Sequence, residues 1–196
     1  MNGHAWLEPD EQLKMCVMMK ECGLLKHSPR GDLRLKDGST TDLYFDLRQH
    51  RGSAKATEFL ARAFSRSILD LDVKRFVEIP QALSSLAGVI TVMTGIPFVT
   101  VREEPKKGRE YDEWFIGPFE KGDKVCVIDD VVSTGRTKVP AIKRCVEAGL
   151  NVVAVVVLIE RTKEWHDTFR ENDLDVLVWP GMTISDVRRH LTTLTV

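Results

Sequence analysis

The chain has 196 residues, 43% of them hydrophobic and 29% charged, which fits one globular domain that needs no cross-links to fold. Its 28 Lys and Arg nearly balance its 29 Asp and Glu, so it lacks the basic excess of proteins that bind nucleic acid through bulk charge. The longest apolar run, residues 152–159, is far shorter than the ~20 residues of a membrane helix, and the first residues do not form a secretory signal.

The first third of the chain predicts two helices separated by a hairpin. A helix is predicted over residues 9–21. Two alternating runs, residues 33–36 and 42–47, flank Asp37-Gly38 and predict an antiparallel hairpin. Apolar residues recur at helical spacing over residues 53–70, which predicts the second helix.

The rest of the chain alternates strands with helices. The predicted strands cover residues 73–79, 96–101, 124–129, 151–159 and 174–179, and the predicted helices cover 84–94, 137–148, 163–171 and 185–191. Several strands are apolar without alternation, as in a parallel sheet buried on both faces. We therefore predict an α/β fold with a doubly wound parallel sheet in a single domain over residues 1–196. Residues 1–50 would form a small N-terminal helix and hairpin hood, and residues 70–180 the sheet core.

The four cysteines, at positions 16, 22, 126 and 145, form no CxxC pair. Two of them lie in segments predicted to be buried, so we expect reduced thiols and a cytoplasmic protein. The five histidines show no metal-ligand spacing, so we expect no metal site built from protein side chains.

The loop after Asp129 is the most informative stretch, because ligands of doubly wound sheets bind beyond the carboxyl ends of the strands. A buried strand ends in Asp129-Asp130, and a short turn rich in Ser, Thr and Gly then opens a helix. Backbone N–H groups at a helix N-terminus favour a phosphate. The plain alternative is a strand end followed by a helix cap, but the complete pattern over residues 125–137 favours a ligand site.

Residues 125–137 resemble the phosphoribosyl pyrophosphate (PRPP) signature of type I phosphoribosyltransferases. The resemblance implies that Asp129 and Asp130 hold the ribose hydroxyls and stabilise the positive charge that develops on the ring during catalysis. It implies a 5-phosphate site formed by the following turn, at Ser133, Thr134, Gly135, Arg136 and Thr137. The signature does not name the acceptor base.

Two further stretches resemble the orotate phosphoribosyltransferases within that family. Residues 35–48 look like their N-terminal hairpin, with Lys36 in the matching place and Asp37 where Ser is usual. Residues 158–161 resemble a strand end at which an Arg, here Arg161, reaches the orotate carboxylate. A guanidinium binds a planar carboxylate bidentately, which a lysine cannot do. Lys36 or Arg161 alone would be read as a solvated charge, but the two together favour base binding.

Residues 102–110 form the third stretch, and seven of these nine residues are charged, so they predict a mobile surface loop. The resemblance implies a catalytic lid in which Arg102 and Lys107 bind substrate and Lys106 is catalytic. This chain departs from the family pattern at Glu103, where a Lys is usual, and at Gly108, where a His or Tyr is usual. A weaker resemblance, over residues 78–87, indicates a pyrophosphate loop whose Ser84 and Ser85 hydroxyls either donate to a phosphate or cap a helix.

The resemblance as a whole implies an enzyme that transfers the phosphoribosyl group of PRPP to orotate, giving orotidine 5-monophosphate and pyrophosphate in pyrimidine biosynthesis. It implies Mg²⁺, held mainly by substrate and water, and a homodimer in which each lid closes over the partner's site. Two alternatives remain open: a phosphoribosyltransferase for another base, and a non-catalytic PRPP-binding regulator. The neutral charge balance and the presence of Lys106 argue against the regulator.

Overall fold

A computed structural model describes residues 5–35, 38–106, 108 and 114–194. The helices are α1 (Pro9–Glu21), α2 (Ala54–Asp70), α3 (Ser84–Thr94), α4 (Val139–Glu147), α5 (Trp165–Glu171) and α6 (Ile184–Thr193), and a 3₁₀ segment spans Leu47–Gly52. The strands are β1 (Leu25–His27), β2 (Leu33–Arg34), β3 (Thr40–Thr41), β4 (Leu43–Phe45), β5 (Arg75–Glu78), β6 (Phe98–Val101), β7 (Phe115–Ile116), β8 (Lys124–Val132), β9 (Asn151–Glu160) and β10 (Leu177–Thr183).

The central sheet has six strands in the order β10-β9-β8-β5-β6-β7. All neighbouring pairs are parallel except β6 with β7. The chain starts this sheet at β5, adds β6 on one side and then returns to place β8 on the other side. This reversal confirms the predicted doubly wound fold, and it places the crevice that such sheets use for ligands between β5 and β8.

Apolar side chains cover both faces of the sheet, which explains why its strands are apolar without alternation. On β8, Cys126 and Ile128 join one hydrophobic cluster, with the side chains of α1, α2, α3 and α6. Val125 and Val127 join the other, with Ile142 of α4 and with α5. Successive residues of β8 therefore face opposite layers, and both layers are apolar.

The hood differs from the predicted hairpin in its pairing. The segment before the turn, β2, pairs with β3 in antiparallel fashion. The expected continuation, β4, instead pairs with β1, which the sequence did not predict as a strand. The physical reason is burial: the register places Leu25 opposite Phe45, and both side chains are buried in the core together with Leu43.

Two other strands differ from expectation. The antiparallel edge strand β7 was not predicted, and it pairs Phe115 with Val101, both of which are buried. The strand β10 runs from Leu177 to Thr183 instead of over 174–179. Its residues 180 and 181 are Pro and Gly, which usually end a strand, and this composition explains the error.

All four cysteines are free, as predicted. Cys16, Cys126 and Cys145 are buried, and burial raises the pKa of each thiol to about 12, so they are unreactive core residues. Within the described ranges, the helices include none that combines the length and apolar character needed to cross a bilayer.

Candidate active site

Three carboxylates lie at the carboxyl ends of the two strands that flank the crevice. Glu78 is the last residue of β5, and its partner in the ladder is Ile128, so Asp129 and Asp130 follow directly on the neighbouring strand β8. Glu78 is only 1% exposed. Burial raises the pKa of Glu78, and the nearby charge of Asp129 raises it further.

The two aspartates of the predicted ribose site have different surroundings. Asp129 is buried, and its Oδ1 accepts a hydrogen bond from the N–H of Asp130 at 2.8 Å. Asp130 is half-buried, and its Oδ1 accepts from the N–H of Val131 at 2.7 Å. Burial, together with the charge of Asp129, raises the pKa of Asp130 to about 7. Asp130 is therefore the more open carboxylate of the pair.

A buried lysine contacts this acidic pair, and the sequence analysis did not find it. Lys138 is 4% exposed, its Nζ contacts Oδ2 of Asp129, and it donates to Oγ1 of Thr137 at 3.3 Å. Buried lysines are rare unless they are paired. The signal was present in the sequence as a charge directly before the apolar first turn of α4, one residue beyond the predicted phosphate turn.

The predicted phosphate site, residues 133–137, is a turn that leads from β8 into α4. The N–H groups of Lys138 and Val139 both donate to the carbonyl of Gly135. In the described part of the chain, no backbone carbonyl accepts from the N–H groups of Thr134 to Thr137. These donors, together with the exposed side chains of Arg136 and Thr137, are what an anion at a helix N-terminus requires.

Gly135 has two structural reasons to be glycine. Its φ of +75° lies in the left-handed region that side chains rarely adopt. A Cβ at this position would lie 2.9 Å from Cβ of Trp165 and 3.0 Å from Cε1 of Phe169. The backbone at Gly135 therefore approaches α5 closely, and Trp165 and Phe169 of that helix are buried in the core.

Arg161 lies beside the phosphate turn and reaches the hood. Its N–H donates to the carbonyl of Val132, and its Nη2 donates to Oγ1 of Thr41 in β3 at 3.0 Å. The structure thus brings the predicted base-binding arginine together with the hairpin and the end of β8. Lys36, at the predicted tip of that hairpin, lies outside the described residues.

The β5–α3 loop carries Ser84 and Ser85, and neither serine caps α3. The Ser84 hydroxyl donates to Oε1 of Glu78 at 2.5 Å. Oγ of Ser85 lies 3.0 Å from Nε2 of the fully buried His50, whose Nδ1 lies 2.9 Å from Oγ1 of Thr57.

The Thr57 hydroxyl donates its proton to the carbonyl of His50, so Nδ1 of His50 carries the ring proton and Nε2 accepts from Ser85. Both serine hydroxyls contact buried partners, so the expected role as helix caps is wrong, and the role as phosphate donors stays a prediction. The buried carboxylate and imidazole need these donors.

The predicted lid, residues 102–110, begins where β6 ends, two strands away from β8 at the same edge of the sheet. The N–H of Arg102 donates to the carbonyl of Trp114, and Nε of Arg102 is buried without a hydrogen-bond partner among the described residues. Lys106 is exposed. Lys107 lies outside the described residues, so the lid is described only in part.

Comparisons with known proteins show what the whole chain resembles. No family model matches the chain. An orotate phosphoribosyltransferase from Methanocella arvoryzae is 28% identical over 163 residues, which cover 83% of this chain and 90% of the relative. An orotate phosphoribosyltransferase from Aeropyrum pernix superposes with a TM-score of 0.73 at 22% identity, covering 91% of this chain and 98% of the other.

UMP synthase from Leishmania donovani superposes with a TM-score of 0.78 at 26% identity and covers 94% of this chain, which spans 39% of that larger protein. By sequence and fold together, the chain is similar to the type I phosphoribosyltransferases and, among them, most like the orotate phosphoribosyltransferases.

Proposed function

We propose that this enzyme transfers the phosphoribosyl group of PRPP to orotate and releases pyrophosphate, a step of pyrimidine biosynthesis. One observation carries the proposal: an acidic pair, a turn with open N–H donors and a guanidinium lie together at the carboxyl edge of the sheet, at the ends of β8 and β9. Each of these groups matches one part of the two substrates, namely ribose, phosphate and carboxylate.

We assign the ribose 5-phosphate moiety of PRPP to the end of β8 and the turn after it. The carboxylates of Asp129 and Asp130 accept hydrogen bonds from the ribose hydroxyls, and the turn over residues 133–137 binds the 5-phosphate. Cleavage of the bond between C1 and the pyrophosphate oxygen places positive charge on the ribose ring. The negative charge of Asp130, held close to the ring, favours that transition state.

We assign the base to the space between Arg161 and the hood. The position of Arg161 against Thr41 supports this assignment, because a planar carboxylate bound by the guanidinium would lie beside the hairpin. Lys36 would add a second cation to the base site. The ring nitrogen of orotate then attacks C1 from the face opposite the pyrophosphate.

The pyrophosphate is assigned to the lid, whose cations would neutralise it. The buried Nε of Arg102 is an open donor near the foot of the lid and supports this role. Lys106 would act as the catalytic lysine, with Lys107 as an additional ligand. Closure of the lid would also exclude water, which would otherwise compete with orotate for the ribose.

Mg²⁺ is proposed as the cofactor. The ion would arrive with PRPP and be held mainly by substrate oxygens and water, as is usual for Mg²⁺ with phosphates. When bound there, it would neutralise part of the charge of the departing pyrophosphate.

We further propose a cytoplasmic homodimer in which each lid covers the partner's site. Large apolar side chains on the outer face of α2 and α3 support a contact with a second copy: Leu69 is 51% exposed, Val92 86% and Met93 39%. The four free thiols support a reducing compartment.

Turnover of PRPP with a panel of bases tests the assignment of the acceptor. Wild-type protein with Mg²⁺ should release pyrophosphate with orotate and not with adenine, hypoxanthine, guanine or uracil. If the enzyme uses only a purine, the acceptor assignment is wrong and the base is a purine. If the protein binds PRPP but turns over none of the bases, the alternative of a non-catalytic PRPP-binding regulator is favoured.

The substitution Arg161→Ala tests the proposed base contact. It should raise the KM for orotate by about 10-fold or more and leave the KM for PRPP nearly unchanged, because a charged bidentate pair is lost only at the base. Arg170→Ala removes an exposed arginine of α5 and is the matched control. An equal rise of both KM values would remove Arg161 from the base site.

A further inference from the structure

The Lys138–Asp129 pair is built into the floor of the acidic site. Side-chain exposure is 5% for Lys138 and 8% for Asp129, so both charges are withdrawn from water. Asp129 is held at both of its oxygens, by the N–H of Asp130 at Oδ1 and by Nζ of Lys138 at Oδ2. A carboxylate fixed at both oxygens is oriented before any ligand arrives.

Lys138 is directed into the protein and not toward the phosphate turn's outer surface. Arg136 and Thr137, its neighbours in that turn, are exposed, whereas Lys138 is 4% exposed and contacts an internal carboxylate. Its additional hydrogen bond to Oγ1 of Thr137 ties the ribose side of the site to the phosphate side. Lys138 therefore acts through other residues and does not reach a ligand directly.

The surrounding charges show why such a lysine is needed. Glu78, Asp129 and Asp130 crowd three carboxylates at one edge of the sheet, where a substrate with two phosphate-bearing ends must bind. Two exposed arginines of the 3₁₀ segment attract these carboxylates from a distance. The charge of Arg48 interacts with Asp130, and the charge of Arg51 interacts with Glu78. Lys138 is the buried cation in direct contact with the pair, so it offsets one negative charge where solvent screening is weakest.

We propose that Lys138 is a positioning residue for PRPP: it holds the Asp129 carboxylate in the orientation that faces the ribose hydroxyls. This role rests on the proposed function and deepens it, because it concerns how the ribose subsite is made. Without Lys138, Oδ2 of Asp129 loses its buried partner, and the carboxylate rotates. It then ceases to accept from the ribose hydroxyls.

The test is a double-mutant cycle read by calorimetric titration of PRPP, which needs no acceptor base. The variants are Lys138→Met, Asp129→Asn and both together, and circular dichroism during heating confirms that each is folded. Lys143→Met is the matched control, since Lys143 lies in α4, the helix that Lys138 precedes, and donates to Asn172 at 2.9 Å, away from the pair.

Lys138→Met should weaken PRPP binding by at least about 10-fold. The double variant should bind PRPP as Asp129→Asn does, because Lys138 acts only through Asp129. In steady-state assays, Lys138→Met should raise the KM for PRPP and leave the KM for orotate unchanged, a split that a general loss of packing would not give. Lys143→Met should match the wild type in all these measurements.

Two results would overturn the proposal. One is a folded Lys138→Met variant that binds PRPP within twofold of the wild type. The other is a double variant that binds at least about 10-fold more weakly than Asp129→Asn, because Lys138 would then contact PRPP itself. If Lys138→Met does not fold, the double variant, which carries no unpaired buried charge, is still compared with Asp129→Asn, and weaker binding by the double variant overturns the proposal.

A failure of the proposed function gives a different pattern. If the wild type binds PRPP and does not use orotate, the acceptor is wrong, and the binding cycle still decides the role of Lys138.

Discussion

The acidic pair at the end of β8 combines two carboxylates of unequal character. Asp129 is buried and held at both oxygens, whereas Asp130 is half-buried and has a raised pKa of about 7. Such a pair offers two different acceptors to the two hydroxyls of a diol. Asp129 is fixed in place, and Asp130 changes its protonation state near its raised pKa. Sequence alone assigned both residues the same role, because neighbouring aspartates look identical until the direction of each side chain and its partners are known.

Replacing both carboxylates by amides tests their role in PRPP binding. Asp129→Asn with Asp130→Asn should weaken PRPP binding by several kcal/mol, since each hydrogen bond to a charged group contributes about 1.5–3 kcal/mol. Isothermal titration calorimetry measures the change, with Asp175→Asn, an exposed aspartate before β10, as the control. A double variant that binds PRPP as tightly as the wild type would remove the acidic pair from the site.

The raised pKa of Asp130 predicts a dependence of PRPP binding on pH. Because its pKa is about 7, Asp130 is mostly ionised at pH 8, and roughly a tenth of it remains ionised at pH 6. Only the ionised form accepts hydrogen bonds at both oxygens, so binding should weaken as the pH falls through 7. Asp130→Asn should retain only the pH dependence of the ligand's own phosphates. A wild-type dependence equal to that of Asp130→Asn would contradict this role.

At the level of elements, the sequence predicted what depends on local pattern and missed what depends on contacts between distant segments. The helices over residues 9–21 and 84–94 have their predicted bounds, because their periodicity and end signals lie within the segment itself. The β1–β4 pairing and the two-residue strand β7 arise from long-range burial, so local pattern did not reveal them. Lys138 was missed for the same reason: its partner Asp129 is local in sequence, but its burial is tertiary.

Gly135→Ala tests how the phosphate turn is held between β8 and α5. The new Cβ would meet Trp165 and Phe169, and the left-handed backbone would be strained, so unfolding stability should fall by about 2–5 kcal/mol. PRPP affinity should fall as well, because the turn must move. Gly52→Ala, where a Cβ meets nothing within 4 Å, should change stability by about 0.5 kcal/mol or less. Chemical denaturation and PRPP titration of both variants give the comparison.

At the scale of the whole molecule, the N-terminal segment is tied to the sheet core. Nε1 of Trp6 donates to the carbonyl of Val157 in β9 at 3.2 Å and to that of Trp179 in β10 at 3.1 Å. Arg161 links the opposite part of the hood, at Thr41, to the end of β9. The N-terminal hood is therefore attached to the sheet at two separate places, through Trp6 and through Thr41.

The proposed sharing of lids makes activity a property of the dimer, and mixing two inactive variants tests it. One variant carries Lys106→Ala, and the other carries Asp129→Asn with Asp130→Asn. If each lid closes over the partner's site, a mixed dimer has one site with both intact carboxylates and an intact lysine. Random exchange makes half of the dimers mixed, so about a quarter of wild-type activity should return.

The alternative geometry predicts no recovery. If the lid closes over its own subunit, each site of a mixed dimer retains one defect, and the mixture stays inactive. Exchange of subunits is verified by native mass spectrometry of chains that carry different affinity tags, and each variant alone sets the baseline. Recovery of activity after verified exchange assigns Lys106 to the partner's site, because no single chain in the mixture contains both the lysine and the acidic pair.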